Sequence, residues 1–294
     1  STYPTKPDEI RSLFDEAFNQ TGNSKKGNNN GNVKALYAPH IDLRIGMDSY
    51  ARSFSMLQSM KPKRVVILAT SHYAGYYPDM YNNKPFIASR KTFGLPLGDV
   101  DADQEVLDKM EEKKDELGIS FNDRAHRVEH SIELHLILLR YLWEHDFKIV
   151  PVLVGNFDEL YYMPEGHLGE KVAEFGRFMN EEFGDDEDTI FLISGDLAHV
   201  GKKFGDEHPA HTKFDEVRQF DEIFMQHAEE SNRSAILEHI SENHDPHRIC
   251  GFPPLYTFLS CFDDLKGRQL TYDLWDERER ESAVSFGSVV YEGG

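Results

Sequence analysis

His40, His72, Asp196 and His199 each stand at or just past the end of a short β-branched run. The runs are Val33–Pro39, Arg64–Thr70 and Ile190–Ser194. Imidazoles and carboxylates gathered on one rim can ligate a metal or move protons. Taken singly, His40 reads as a loop histidine, Ser71-His72 as a turn and Asp196 as a helix cap; together they form a constellation. Cys250 adds a thiol just before Gly251-Phe252-Pro253-Pro254, where proline marks a helix start. A helix N-terminus favours thiolate, which is a metal ligand or a nucleophile. Cys261 lies among Phe258, Leu259 and Phe262 and reads as a small buried hydrophobe. Eleven residues of mostly helical path span roughly 16 Å, so the two cysteines are not expected to pair. The stretch Glu129-His130-Ser131-Ile132-Glu133-Leu134-His135 opens a helical pattern. Ser131 is expected to cap it and Glu133 to complement its dipole. His130 has no such role, and His135 either shares the face of Ser131 or is surface.

The elements that must position these residues alternate along the chain. Arg64–Thr70, Lys148–Val154 and Ile190–Ser194 are near-continuous apolar runs, as expected of parallel strands buried on both faces. Between the runs lie the amphipathic segments Asp48–Gln58, Asp103–Leu117, Ser131–His145 and Glu165–Phe183. Such alternation predicts an α/β fold, a three-layer sandwich with a mostly parallel central sheet and helices on both faces. Sites in such folds form beyond the carboxyl ends of the strands. Asp79–Asp101 reads as a hairpin or edge extension. Pro7–Phe18, Phe214–Glu230, Ser234–Glu242 and Leu255–Leu265 read as helices, Ala283–Tyr291 as a last strand, and Asp276–Glu281 as a solvated loop. Thr21–Asn32 is polar, rich in Gly and Asn, and reads as a loop. No linker divides the rest, so residues 1–294 are expected to form one domain.

The 294 residues carry 52 Asp and Glu against 32 Lys and Arg, a net charge of −20. That balance argues against nucleic-acid partners and against docking on anionic lipid. Two cysteines exclude a disulfide framework and paired zinc motifs. No apolar run is long enough to span a membrane, and no signal peptide is evident, so a cytoplasmic location is expected. Fourteen histidines are present. His126, His208, His211, His244 and His247 sit in polar contexts and are expected at the surface. His126 and His130 have the spacing of a zinc protease, but Arg127 stands where that motif needs Glu. Phosphate-loop, dinucleotide-fold and nucleophile-elbow motifs are lacking.

Ala38-Pro39-His40, Thr70-Ser71-His72, Glu129–His135, Pro151–Gly155, Ser194–His199 and Ile249-Cys250-Gly251 occur in this order. The ordered set resembles the Memo family, whose prokaryotic members are called AmmeMemoRadiSam system protein B. The resemblance implies a fold similar to class III extradiol dioxygenases, which hold non-haem iron. It implies one transition metal, iron or copper before zinc, bound by His40, His72 and Cys250. His199 would then be general acid/base and Asp196 would orient it or a water, with His130 and Glu133 lining the pocket. Family association implies a small-molecule or peptide ligand, and a radical-SAM and an AMMECR-like protein as partners. Where the family continues with small and aromatic residues, this chain has Ile41-Asp42-Leu43-Arg44, a charged pair at the pocket rim.

Three functions follow for comparison. The first is a metal-dependent, dioxygenase-like oxidoreductase. The second is a non-catalytic binding or scaffold protein on that fold. The third is a hydrolase with Cys250 as nucleophile and His199 or His40 as base, ranked lower because one nucleophile needs only one histidine.

Overall fold

The computed structural model describes residues 3–21 and 32–293. Positions 22–31 of the expected Thr21–Asn32 loop lie outside the described residues. Ten strands are β1 (Val33–Ala38), β2 (Arg64–Thr70), β3 (Phe86–Ala88), β4 (Asp101–Ala102), β5 (Ile119–Ser120), β6 (Lys148–Val154), β7 (Thr189–Ser194), β8 (His199–Gly201), β9 (Lys266–Glu277) and β10 (Ser282–Glu292). They form one sheet, so the α/β expectation holds.

The sheet is mixed, which corrects the mostly parallel expectation. Strands β6, β2, β7 and β1 run parallel side by side. β10 pairs antiparallel with β1, β8 and β9, and β3 pairs antiparallel with β6. β10 is buried along all but its last residue, although it is antiparallel. A continuous apolar run therefore reports burial on both faces and says nothing of direction. β9 pairs with the whole length of β10, so β1 and β8 share the opposite edge of β10 and β9 ends the sheet. As an edge strand it is polar and only partly covered. Its last residues, Asp276 and Glu277, are strand rather than loop, and only Arg278–Arg280 turns.

Alternating side chains of the strands feed two apolar clusters. One gathers Leu36, Ile67 and Leu192 with Phe14, Tyr50, Phe54 and Leu138 from the helices Pro7–Thr21, Leu43–Phe54 and Glu133–Leu142. The other gathers Tyr37, Leu68 and Ile193 with Phe175, Phe224, Ile236 and Phe258 from the helices His167–Phe183, Phe214–Glu229, Arg233–Ser241 and Phe252–Cys261.

Register sets the site. Ser194 at the end of β7 is level with Ala69 of β2 and Ala38 of β1. Chain segments 39–40, 71–72 and 195–196 therefore leave the sheet on one rim.

One buried acid has a measurable consequence. The Asp221 carboxyl is fully buried, accepts from the Tyr272 hydroxyl at 2.5 Å, and has no partner for Oδ1. Burial pushes it up to about 6 from 3.8. The folded state thus holds this proton more tightly than the unfolded chain, and stability falls as pH rises from about 4 to 6. Asp221→Asn, which keeps an acceptor for Tyr272, is expected to raise the melting temperature at pH 7. At pH 4 the gain should vanish; an equal gain at both pH values would rule the explanation out.

Candidate metal centre

His40 follows β1, His72 follows β2, and Asp196 follows β7. Cys250 arrives from the opposite direction, just before the helix Phe252–Cys261 with prolines in its first turn. Ligand atoms of His40, His72 and Cys250 lie within 4.8 Å of one another, and so do those of Asp196, His199 and Cys250. These are the two such triads among the described residues. Cys250 Sγ is 3.5 Å from His40 Nε2, which is 3.7 Å from Asp196 Oδ2. The His40 and His72 rings meet edge to face at 4.9 Å. Bonds of 2.0–2.3 Å around one tetrahedral ion put donors about 3.3–3.8 Å apart, so the His40–Cys250 pair already fits and His72 must close by a small shift.

Hydrogen bonding fixes which nitrogen each imidazole presents. Ser194 Oγ donates its one proton to the Ser131 carbonyl at 2.7 Å. It can therefore only accept from His40 Nδ1, 3.2 Å away. The Glu129 carboxylate takes the Nδ1 proton of His72 at 2.9 Å. His199 Nδ1 faces two carbonyls, of Leu197 and Arg248, both at 3.0 Å. All three rings carry their proton on Nδ1 and offer the Nε2 lone pair to the pocket, as metal-binding histidines do.

Burial sets the charges. It pushes the Asp196 carboxyl up to about 7, against the backbone N–H groups of His40 and Ile41 that hold Oδ1 at 2.9 and 3.2 Å. It takes His199 down to about 4, and with His72 beside it drives His40 well below its usual value. Burial also lowers His72, but the hydrogen bond and charge of Glu129 outweigh it and the net direction is up. Cys250 corrects the expectation of a thiolate. Burial, then the charge of Asp196, raise its thiol well above the ordinary value. In the metal-free chain the thiol is protonated, and an adjacent cation is what would ionise it.

Glu129 was not singled out by spacing, although its neighbours were. It is buried and also accepts from the His72 backbone N–H at 2.8 Å. Glu129→Gln is expected to weaken metal binding by about 10–100-fold, the usual cost of losing a carboxylate behind a ligating histidine. Competition against a chelator of known affinity measures it; unchanged affinity would remove Glu129 from the centre.

The loops bearing Asp196 and Cys250 are stitched together. Gly251 N–H donates to Asp196 O at 2.8 Å, and Asp196 N–H approaches Cys250 Sγ at 3.2 Å. A Cβ at Gly195 would lie 2.3 Å from Gly251 Cα, and one at Gly251 would lie 2.2 Å from the Tyr37 hydroxyl. Arg248, in the left-handed region at φ +54°, holds Asp206 at 2.8 Å and the His199 carbonyl at 3.1 Å.

Other expectations resolve individually. His130 lines the hollow beside His40 and His72. Glu133 stands behind it, accepting from His130 Nδ1 at 3.2 Å and from the Tyr3 hydroxyl. Ser131 does not cap; its hydroxyl reaches the Thr70 carbonyl and ties the 129–133 loop to β2. His135 is fully buried, and its Nε2 donates to the Pro39 carbonyl at 2.8 Å, directly behind His40. His247 is buried rather than surface, paired with Glu216 at 3.1 Å, and His126 is partly buried against the Ile87 carbonyl. Asp42 caps the helix Leu43–Phe54, pairs with Arg44, and lines the His40 hollow, as the rim reading requires. Cys261 is buried, and both cysteines are free.

Comparison with known proteins gives matches along most of the chain. A family model described as Memo-like protein matches residues 1–290. A MEMO1 family protein of Aquifex aeolicus is 29% identical over 292 residues, covering 98% of this chain and 70% of the relative. Protein MEMO1 of Xenopus laevis is 24% identical over 309 residues, covering 100% of this chain and 94% of the relative. The crystal structure of an uncharacterized Escherichia coli K12 protein superposes with a TM-score of 0.52 at 15% identity, covering 88% of this chain and 99% of that one. The fold is therefore shared well beyond recognisable sequence.

Proposed function

The chain belongs to the Memo-like family, and from that premise we propose a metal-binding protein acting as a non-haem oxidoreductase with a dioxygenase-like pocket. The observation that carries the reading is the donor set: two Nε2 lone pairs, each fixed by a hydrogen bond behind the ring, facing one partly buried thiol. His40, His72 and Cys250 would hold one transition metal, iron or copper before zinc. The thiolate makes the set softer than two histidines and a carboxylate. Bound there, the metal would supply redox chemistry at positions left open to substrate and oxygen. His199, neutral with Nε2 bare, is suited to accept a proton from substrate. Asp196, whose carboxyl burial raises in the metal-free chain, turns Oδ2 toward His40 Nε2 while Oδ1 stays bonded to the backbone. Asp42 and His130 line the hollow beside His40 and His72, Glu133 backs His130 rather than lining it, and the ligand is a small molecule or peptide.

The raised Cys250 thiol weighs against a hydrolase with that residue as nucleophile. Among the described residues, no helix is long and apolar enough to cross a membrane. We extend the proposal to a cytoplasmic protein without nucleic-acid or membrane partners, in the company of a radical-SAM and an AMMECR-like protein.

Metal analysis of anaerobically purified protein tests the reading, followed by spectra on admitting oxygen with a catechol added. About one equivalent of iron or copper and an oxygen-dependent spectral change are expected. Metal without the change leaves a binding or scaffold protein. Activity that survives chelators and dies on thiol alkylation would replace the metal reading with the hydrolase.

A further inference from the structure

One hollow opens at His72 and Cys250 of the candidate centre, and a second lies beyond it. The nearer, about 220 Å³, is lined by His72 and Cys250 together with Phe157, Tyr161, Asp158 and Asp245. The farther, about 320 Å³, is lined by Pro78, Tyr81, Pro85 and Leu168 and by the amines Lys84 and Lys171. Gly155 and Asn156 line both, so the two are neighbours across that segment.

Their charges differ. The near hollow has acids, and its Arg248 is engaged by Asp206 and the His199 carbonyl. The far hollow has two ammonium groups against one carboxylate, Glu159, in a chain of net charge −20. Lys171 Nζ is held in place by the carbonyls of Asp115 and Glu116, leaving one N–H. Lys84 Nζ has only the highly exposed Asp115 carboxylate, at 3.2 Å, a weak partner in water. Between metal and amines the walls mix Phe157, Tyr161, Tyr81 and Leu168 with Asn156 and the carboxylates Asp158 and Asp245.

We propose that this cleft is the substrate channel of the metal centre and selects an elongated ligand. Its uncharged end passes the acids Asp158 and Asp245 to the metal, and its far end is a carboxylate or phosphate held by Lys84 and Lys171. The inference rests on the metal-centre reading and adds the class of ligand. Lys84 and Lys171 are binding residues that determine specificity.

Gly155 provides a gate for the test. Its φ is not in the left-handed region, and an added Cβ would meet only the Pro85 carbonyl, at an ordinary 3.5 Å. A Cβ is therefore accommodated there, a larger side chain is expected to narrow the passage between the hollows, and urea unfolding checks that the fold is kept.

Calorimetry with 4-phenylbutyrate, 3-phenylpropyl phosphate and 4-phenylbutanol is run on metal-free and metal-loaded protein. An anionic probe should bind at least about tenfold more tightly than the alcohol, as hydrogen bonds to charged groups imply. The tighter of the two anions identifies the head group. Lys84→Gln should abolish most of that preference, and Lys171→Met is the second variant. Gly155→Leu should abolish binding of the anions with metal content unchanged. Equal binding of alcohol and anions, a preference indifferent to Lys84, or full binding by Gly155→Leu would each overturn the inference. If the chain binds no metal yet the metal-free protein shows the Lys84-dependent preference, the metal reading fails and the anion site stands. If metal binds and no preference exists, the anion site alone fails.

Discussion

Cys250→Ser is expected to abolish stoichiometric metal binding with the fold retained. The hydroxyl is close in size to the thiol and can accept the Asp196 N–H that Sγ meets at 3.2 Å. It is not a soft anionic donor at neutral pH, so the centre keeps two imidazoles and loses its one charge-neutralising ligand. The loss should exceed the about 10–100-fold that follows removal of a supporting group behind a ligand. Elemental analysis reads the metal, and urea unfolding of the metal-free forms reads the fold. Full metal retention would sink the three-ligand site. His40→Ala should match it, since His40 Nε2 stands 3.5 Å from the thiol.

The second large effect should come from residues without functional groups. Gly195→Ala would set a Cβ 2.3 Å from Gly251 Cα, and Gly251→Ala one 2.8 Å from the Asp196 carbonyl. Those neighbours are main chain and cannot rotate away. Tyr37, the other obstacle at Gly251, is fully buried. Relief requires the two loops to part, at a cost of about 1–3 kcal/mol or more. Both variants should unfold at lower urea than the parent and lose metal together. A variant with its metal and unfolding midpoint unchanged would show that the loops part freely.

What sequence discloses here divides along physical lines. The central strands were legible because burial on both faces demands continuous apolar runs, as in Arg64–Thr70, found as expected. Pairing direction was not, because β10 is as apolar as its parallel neighbours. β9 was hidden because an edge strand keeps its charges in water. His40, His72, Asp196 and His199 were legible as strand-end residues, and spacing brought them to the right rim. Their joining to Cys250 came from resemblance, since no local pattern relates residue 40 to residue 250. Glu129 and His135 escaped because both act from behind, one on His72 and one on Pro39. A buried carboxylate beside a histidine leaves no periodic trace. The thiol was misjudged because the helix start was visible and the depth of burial was not.

The position of β1 in the sheet bears on when the centre can exist. β1 lies between β7 and β10, and β10 ends at Glu292, one residue before the last described one. His40 and Cys250 are 210 residues apart, and the loop that braces His199 continues into the same late segment. Contacts so distant in sequence close slowly and late. During synthesis the early histidines leave the ribosome well before the thiol and before the strand that completes their sheet. A nascent chain thus holds soft-metal donors that cannot converge on one ion. Under the proposed reading a metal would not be held until Cys250 and β10 had both been made, and a loaded centre would mark a chain assembled at least that far.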